Sequence, residues 1–169
     1  MTPMAKKERM PAGTDLGSFD IPEGEFTYKF KPNGANVYRF EISSRNTALI
    51  RVASATPGGA MEAGQPLHLF GGQKENFYFR VPAKAREVLV NLIPQEPGSA
   101  KLFDAAGRLV DEMPFQTAGK VLKGERNPSA ANEFWHLQFP TIQEDFEFQV
   151  GGDAVPLVSS EPEGVIQGK

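Results

Sequence analysis

The sequence predicts an all-β protein in which two antiparallel sheets pack into a jelly-roll-like β-sandwich. Short runs of alternating large apolar and polar residues recur along the chain, as in Phe26-Thr27-Tyr28-Lys29-Phe30 and Phe146-Glu147-Phe148-Gln149-Val150. Successive side chains of a strand point to opposite faces of a sheet, so this alternation is typical of strands with one buried face. Gly, Pro, Asn or Asp closes most runs, and no segment of a dozen residues shows the apolar spacing of an amphipathic helix.

The alternating runs place about eleven strands, which is more than a minimal immunoglobulin domain holds and suits a jelly roll better. We predict strands at 25–31, 36–43, 47–53, 66–70, 75–81, 87–93, 99–104, 107–112, 133–139, 144–150 and 154–159. The run at 87–93 is nearly continuous in apolar residues, so it is predicted to be a central strand covered on both faces.

Three turns support these strands. Lys31-Pro32-Asn33-Gly34 carries an Asn-Gly pair, which favours positive φ and predicts a hairpin between the first two strands. Asp104-Ala105-Ala106-Gly107 opens with Asp and closes with Gly, which predicts a type I turn with a glycine bulge. Gly151-Gly152-Asp153 is a third tight connection.

The domain organisation follows from where the alternation starts and stops. Residues 1–24 are predicted to be a flexible leader, residues 25–160 the sandwich and residues 161–169 a tail. Residues 54–65 and 113–132 show no alternation and are predicted to be long loops. Loops of this length are either functional or disordered, and both alternatives stay open.

Composition limits the partners. A formal net charge of -3 argues against a nucleic-acid binder, which needs a basic surface. The absence of cysteine excludes disulfides and thiolate chemistry.

No stretch approaches the ~20 apolar residues of a membrane helix, so no membrane partner is expected. No apolar segment follows the basic residues near the start, so we expect a cytoplasmic protein if the chain is complete, and an extracellular one if it is a module of a secreted protein.

Nothing in the sequence indicates catalysis. The chain has two histidines, His68 and His136, and no Gly-x-Ser-x-Gly nucleophile elbow. The alternation places each histidine on the polar face of its strand, which favours an exposed histidine over a catalytic one. We therefore predict no catalytic residue and no enzymatic activity.

Acidic residues near one hairpin are the candidate metal ligands. Glu144, Asp145 and Asp153 flank one predicted hairpin, and carboxylate oxygens are the ligands that calcium prefers. A structural calcium ion held there is one interpretation. A solvated acidic surface is the other, and nothing in the chain requires a further cofactor.

Aromatic residues with a polar tip are the candidate ligand-binding residues, because sugar sites combine an apolar ring with hydrogen bonds at its rim. Tyr78 alternates away from the apolar side of its strand, and Arg80 shares its face. His136 also lies on a polar face, whereas Trp135 beside it alternates onto the apolar side, which favours the core. Tyr78, Arg80, Trp135 and His136 are the predicted set, and an ordinary cross-strand pair is the alternative for the first two.

Several sequence segments, each a predicted strand with its adjoining turn, resemble the galactose-binding-like and pre-peptidase C-terminal-type β-sandwich domains that accompany bacterial hydrolases. The resemblance covers about residues 70–160. It rests on Phe77-Tyr78-Phe79-Arg80-Val81-Pro82, Glu87-Val88-Leu89-Val90-Asn91-Leu92, Ala100-Lys101-Leu102-Phe103-Asp104-Ala105-Ala106-Gly107-Arg108-Leu109-Val110, Phe134-Trp135-His136-Leu137 and Val155-Pro156-Leu157-Val158.

The resemblance implies a noncatalytic accessory module that binds a glycan or positions a neighbouring catalytic domain. The chain departs from the family at one turn, where Ala105 and Ala106 stand in place of the usual Pro and Asp. This departure weakens any calcium site that the resemblance would imply at that turn. A structural or assembly protein that works through protein–protein contacts is the alternative function.

Overall fold

The computed structural model describes residues 60–69, 76–94, 97–115, 118–142, 146–162 and 165, together with scattered positions between 18 and 41. The chain divides into two compact units, Glu8–Arg51 and Val52–Lys169, the second of which also takes in Met1–Lys7. In the first unit the rings of Tyr28 and Phe40 meet edge to face, with centroids 6.4 Å apart.

The described residues of the second unit form strands and turns and contain no α-helix, which confirms the all-β prediction. The strands are β1 Met61–Glu62, β2 Leu67–Leu69, β3 Asn76–Val81, β4 Glu87–Pro94, β5 Gly98–Phe103, β6 Leu109–Met113, β7 Lys120–Glu125, β8 Glu133–Ile142, β9 Phe146–Gly152 and β10 Leu157–Ser159.

The strands form two antiparallel sheets with a nested order. One sheet has six strands in the order β1-β10-β3-β8-β5-β6, and the other has four in the order β2-β9-β4-β7. Going inward along the chain, β1 pairs with β10, β2 with β9, β3 with β8 and β4 with β7, and these pairs alternate between the sheets. Such nested pairing is a jelly roll, extended here by the β5–β6 hairpin at the edge of the larger sheet.

The core lies between the sheets and is built largely from phenylalanine. Phe77 of β3 packs against Phe148 of β9 with ring centroids 5.2 Å apart, and Phe139 of β8 packs against Phe146 at 5.3 Å. Both contacts join the six-stranded sheet to the four-stranded one. Five of the 13 phenylalanines (Phe77, Phe79, Phe139, Phe146 and Phe148) are buried in this core. Phe suits such a position because it is large and has no polar group to satisfy.

Strand β4 is central, as predicted, but it is fully buried on one face only. Val88, Val90 and Leu92 point into the core, whereas Leu89 and Ile93 on the opposite face are half-buried. The prediction that both faces are fully covered was wrong, because among the described residues nothing comparable to the core covers the outer side of this antiparallel sheet.

The prediction of a loop at 113–132 was wrong in part, because strand β7 lies within it. Only Leu122 and Gly124 of this strand are buried, and Val121 is exposed, so its inward side carries no run of large apolar residues. Gly124 has a packing reason. A Cβ added there would lie 2.4 Å from Cζ3 of Trp135, so the indole ring occupies the space that a side chain would need. A strand whose inward residue is glycine leaves little alternation to detect.

Two predicted strands and two predicted domain boundaries stay predictions. The strands at 36–43 and 47–53 fall mostly outside the described residues, as does the hairpin turn at 31–34. Of the strand predicted at 25–31 the structure describes positions 27–29 and 31, and none of them lies in a strand. The division of the leader from the sandwich lies in the same region. In the predicted tail, Val165 is buried and its N–H donates to the carbonyl of Pro162.

Candidate functional site

Four aromatic side chains lie together on the outer face of the six-stranded sheet. Tyr78 of β3 stands opposite His136 of β8, which in turn stands opposite Phe103 of β5. Phe134 of β8 stands opposite Arg80 of β3 on the same side. These five residues, which we call the aromatic face, are each partly exposed, because the neighbours that alternate with them fill the core.

The rings of the aromatic face are arranged as a row across three strands. His136 stacks on Phe103 with ring centroids 4.8 Å apart and an angle of 9° between the planes. Tyr78 tilts against the other side of His136, at 5.2 Å and 38°. The imidazole is therefore held between two rings, and the row turns ring edges rather than ring faces outward.

The polar tips of this row are available to a ligand. Within the described part of the chain, neither the Tyr78 hydroxyl nor the His136 ring nitrogens take part in a hydrogen bond. Burial between the two rings lowers the pKa of His136, because the charged imidazolium loses water there. The imidazole is thus neutral at pH 7 and offers one donor and one acceptor.

A second concave region lies at one end of the sandwich. A cleft of about 530 Å³ opens between the β5–β6 turn, the end of β7 and the start of β8, and we call it the end cleft. Trp135 and Val110 provide apolar lining, and Arg108, Glu125 and Asn127 provide exposed polar lining. The indole of Trp135 is 2% exposed, so it belongs to the core and only its border reaches the cleft.

Arg126 organises the segment between β7 and β8 that lines this cleft. Its side chain is only 6% exposed. The Nε group donates to the carbonyl of Asn127, and Nη1 lies 3.2 Å from the carbonyl of Pro82 and 3.5 Å from that of Val81. Nη2 donates to the hydroxyl of Ser129. The guanidinium thus ties the 126–132 segment to the end of β3, and it has little capacity left for a ligand.

Glu133 joins this arginine to the core. One of its carboxylate oxygens lies 3.0 Å from Nη2 of Arg126, and the other accepts a hydrogen bond of 2.9 Å from the indole N–H of Trp135. A buried indole N–H needs an acceptor, and this carboxylate supplies it. We call the Arg126–Glu133–Trp135 chain the buried latch.

The β5–β6 turn has the predicted type I geometry with a glycine bulge. The N–H of Gly107 donates to the carbonyl of Asp104, and Gly107 has φ 74°. The Asp104 carboxylate accepts from the N–H groups of Ala106 and Arg108 and from the Arg108 guanidinium. Burial alone would raise the pKa of Asp104, but these hydrogen bonds outweigh it and hold the pKa below its ordinary value.

The predicted ligand-binding set is divided by the fold. The aromatic face brings together Tyr78, Arg80 and His136. Trp135 lies on the opposite side of β8, in the core, as its alternation favoured. Sequence reasoning missed Phe103 and Phe134, and alternation alone could have placed Phe134 beside His136, two residues away. Phe103 could not have been found, because its place depends on β5 pairing with β8.

The predicted metal ligands are not brought together in the described residues. Glu144 and Asp145 lie outside those residues, so the calcium site stays a prediction. The Asp153 carboxylate accepts from the N–H groups of Arg86 and Glu87 at 2.8 and 3.2 Å, which anchors the start of β4. Among the described residues no group of three or more His, Asp or Glu side chains is placed to hold a metal ion.

His68, the other histidine, makes a cross-strand pair. It stands opposite Glu147 of β9, and its Nδ1 lies 3.5 Å from Oε1 of that glutamate. The two side chains are partly exposed on the outer side of the four-stranded sheet. This arrangement matches the exposed strand histidine that the alternation favoured.

Comparison with known proteins found no matching family model, no matching curated protein and no matching solved structure. Among the described residues, no helix is long and apolar enough to cross a membrane.

Proposed function

We propose that this protein is a noncatalytic jelly-roll binding module that uses the aromatic face to hold a carbohydrate. The observation that carries the proposal is the row of Tyr78, His136 and Phe103, which crosses three strands and keeps its polar tips available. Aromatic groups on the solvent side of a sandwich do not contribute to its core. A contiguous partly exposed group of them is typical of an interaction surface.

A carbohydrate fits the chemistry of this surface. Sugar hydroxyls are both donors and acceptors, and the Tyr78 hydroxyl and the neutral His136 imidazole are as well. Phe103 and Phe134 provide apolar area for the C–H groups of a sugar, and Arg80 adds a guanidinium at one end of the face. An extended glycan laid across the strands would meet one ring on each.

A second candidate function is supported by the orientation of the rings. Because His136 stacks on Phe103, the flat surface that a sugar ring prefers is occupied by another side chain. A surface of ring edges with arginine at its border resembles the centre of a protein–protein interface, where Tyr, Phe and Arg are enriched. A neighbouring catalytic domain or an assembly partner is therefore the alternative ligand.

The family resemblance remains part of the proposal. Galactose-binding-like accessory modules are β-sandwiches, and the nested strand pairing supports a relationship in architecture. Fold alone does not imply function, so the resemblance adds weight only together with the aromatic face.

Glycan-array screening followed by affinity electrophoresis tests the proposal. We expect the wild-type protein to be retained by at least one glycan, and Tyr78→Ala to be retained about tenfold less, the loss of one ring and one hydroxyl group. Phe115→Ala is the matched control, because Phe115 is an exposed aromatic residue outside the aromatic face.

Retention that is equal in Tyr78→Ala and wild type would contradict the aromatic face as the site. Absence of retention on every glycan would contradict the carbohydrate version. In that case, light scattering across a concentration series separates the alternatives, since self-assembly through this face would give a mass that rises with concentration and falls back in Tyr78→Ala.

A further inference from the structure

We propose that the end cleft is a second binding site, distinct from the aromatic face, and that it takes a neutral saccharide. The cleft has a volume of about 530 Å³, which lies in the range of small-molecule sites. A neighbouring hollow of about 470 Å³ shares Glu125, Arg126 and Asn127 and adds Arg86 and Glu87. The shared residues place the two hollows next to each other.

The frame of the cleft is fixed before any ligand arrives. The residues of the buried latch hydrogen-bond among themselves, and so do Asp104 and Arg108 in the turn, so most of their polar atoms already have partners within the protein. Trp135 is seated on Gly124, where no side chain could share the space. A preorganised frame lowers the entropy lost on binding, which favours weak ligands such as sugars.

The exposed groups of the cleft supply mixed hydrogen-bonding capacity. The Arg108 side chain is 80% exposed and uses Nε and Nη2 on Asp104, which leaves Nη1 as a donor. The Glu125 side chain is 77% exposed, and its Oε1 pairs with Lys123. The side-chain amide of Asn127 makes no hydrogen bond to the described residues and can both donate and accept.

The charges of the lining select against ionic ligands. Three carboxylates (Asp104, Glu125 and Glu133) face two guanidinium groups (Arg108 and Arg126), and both guanidinium groups already have carboxylate partners. An anion would therefore meet net negative charge. A cation would find only Glu125 with spare capacity, because the other two carboxylates are used inside the protein. A neutral ligand rich in hydroxyl groups is what remains, with Leu109, Val110 and the border of Trp135 as its apolar contact.

The sole tryptophan of the chain reports on this site. We expect titration with galactose, maltose and cellobiose to change the emission of Trp135 in a saturable way for at least one sugar. Glucuronate and inorganic phosphate, added at the same concentrations, should leave it unchanged. Because a ligand can bind without altering the emission, saturation-transfer NMR is recorded on the same samples, and absence of transfer from the protein to all three sugars would overturn the proposal.

Variants separate this site from the aromatic face. Glu125→Ala combined with Asn127→Ala should weaken sugar binding about tenfold, which corresponds to ~1.4 kcal/mol. Tyr78→Ala should leave binding at the cleft unchanged. If Tyr78→Ala abolishes the signal and the double variant does not, the cleft is not the site, although the proposed function survives. Equal binding of glucuronate would likewise overturn the assignment to neutral sugars.

Discussion

The aromatic face and the end cleft both combine aromatic and polar side chains, but their polar groups are used differently. At the end of the sandwich, the side chains of Arg126, Glu133 and Asp104 form nearly all their hydrogen bonds with other groups of the protein. On the aromatic face, Tyr78 and His136 pack through their rings and keep their polar tips available. Saturated polar groups stabilise a fold, whereas unsaturated ones at a surface remain open to a ligand.

This comparison shows that a charged residue near a cleft need not be open to a ligand. In the end cleft, Asp104, Arg126 and Glu133 form an internal network, and the exposed polar groups are those of Arg108, Glu125 and Asn127. On the aromatic face, the polar groups of Tyr78 and His136 make no hydrogen bond within the described residues. The hydrogen-bond partners of a polar group therefore indicate its role better than its mere presence does.

Breaking the buried latch should produce the largest change in stability. Arg126→Ala removes a nearly buried guanidinium and leaves Glu133 without its cation, which costs about 3 kcal/mol in unfolding free energy. Urea denaturation measures the change. Arg86→Ala is the matched control, because Arg86 is exposed and should cost less than ~0.5 kcal/mol. Equal losses in the two variants would show that the latch does not carry the difference.

Asp111 closes the side of the sandwich where β6 of one sheet meets β7 of the other. Its Oδ2 accepts the N–H of Lys123, and its Oδ1 lies 2.5 Å from the ammonium group of Lys120. Asp111→Asn puts an amide donor against one of these donors and should cost about 1–2 kcal/mol. Urea denaturation at pH 7 measures the change, with Glu112→Gln on the same strand as the control.

The same carboxylate makes stability depend on pH. Burial raises the pKa of Asp111, but hydrogen bonds from Lys120, Lys123 and Glu112 outweigh this and lower it below its ordinary value of 3.8. The unfolded chain then binds the proton first, so the contribution is complete above about pH 4 and is lost as pH falls through the folded pKa. Asp111→Asn should be less sensitive to acid than wild type between pH 5 and pH 2, and an unchanged sensitivity would contradict this role.

Protonation of His136 should give the smallest effect and the most specific one. Because burial lowers its pKa, the unfolded chain takes up the proton before the folded one, so stability decreases as pH falls from the ordinary histidine pKa towards the folded value. NMR titration of the imidazole C–H signals should show a midpoint below that of the protein unfolded in urea. A midpoint at or above the unfolded value would show that the ring is not held between Tyr78 and Phe103.

Much of the fold could be predicted from the sequence, because a strand that buries one face shows large apolar residues at alternate positions. The buried positions of strands β3, β8 and β9 alternate along each strand and hold Phe, Trp, Leu or Val, and these strands were predicted within a few residues. Strand β7 was missed, since Gly124 faces the core and Val121 faces solvent. The type I turn at Asp104 was predicted because its residue types are demanded by local geometry.

The candidate site was predictable only in part, for a physical reason. Alternation within one strand reports which side chains share a face, so Tyr78 and Arg80 could be grouped in advance. It does not report which strand lies alongside, so Phe103 could not be added to the row. The hydrogen-bond partners of the Arg126 guanidinium could not be predicted either. Three of its acceptors are backbone carbonyls, and every residue type carries one, so the sequence does not identify them.

The sequence by itself determined the all-β class, the inward and outward faces of the principal strands and the tight turns, because each depends on residues close together in the chain. Tertiary structure alone decided the nested order of the strands, the aromatic row and the buried latch. Each of these depends on the pairing of distant strands, and pairing is set by how two whole sheets pack their side chains together.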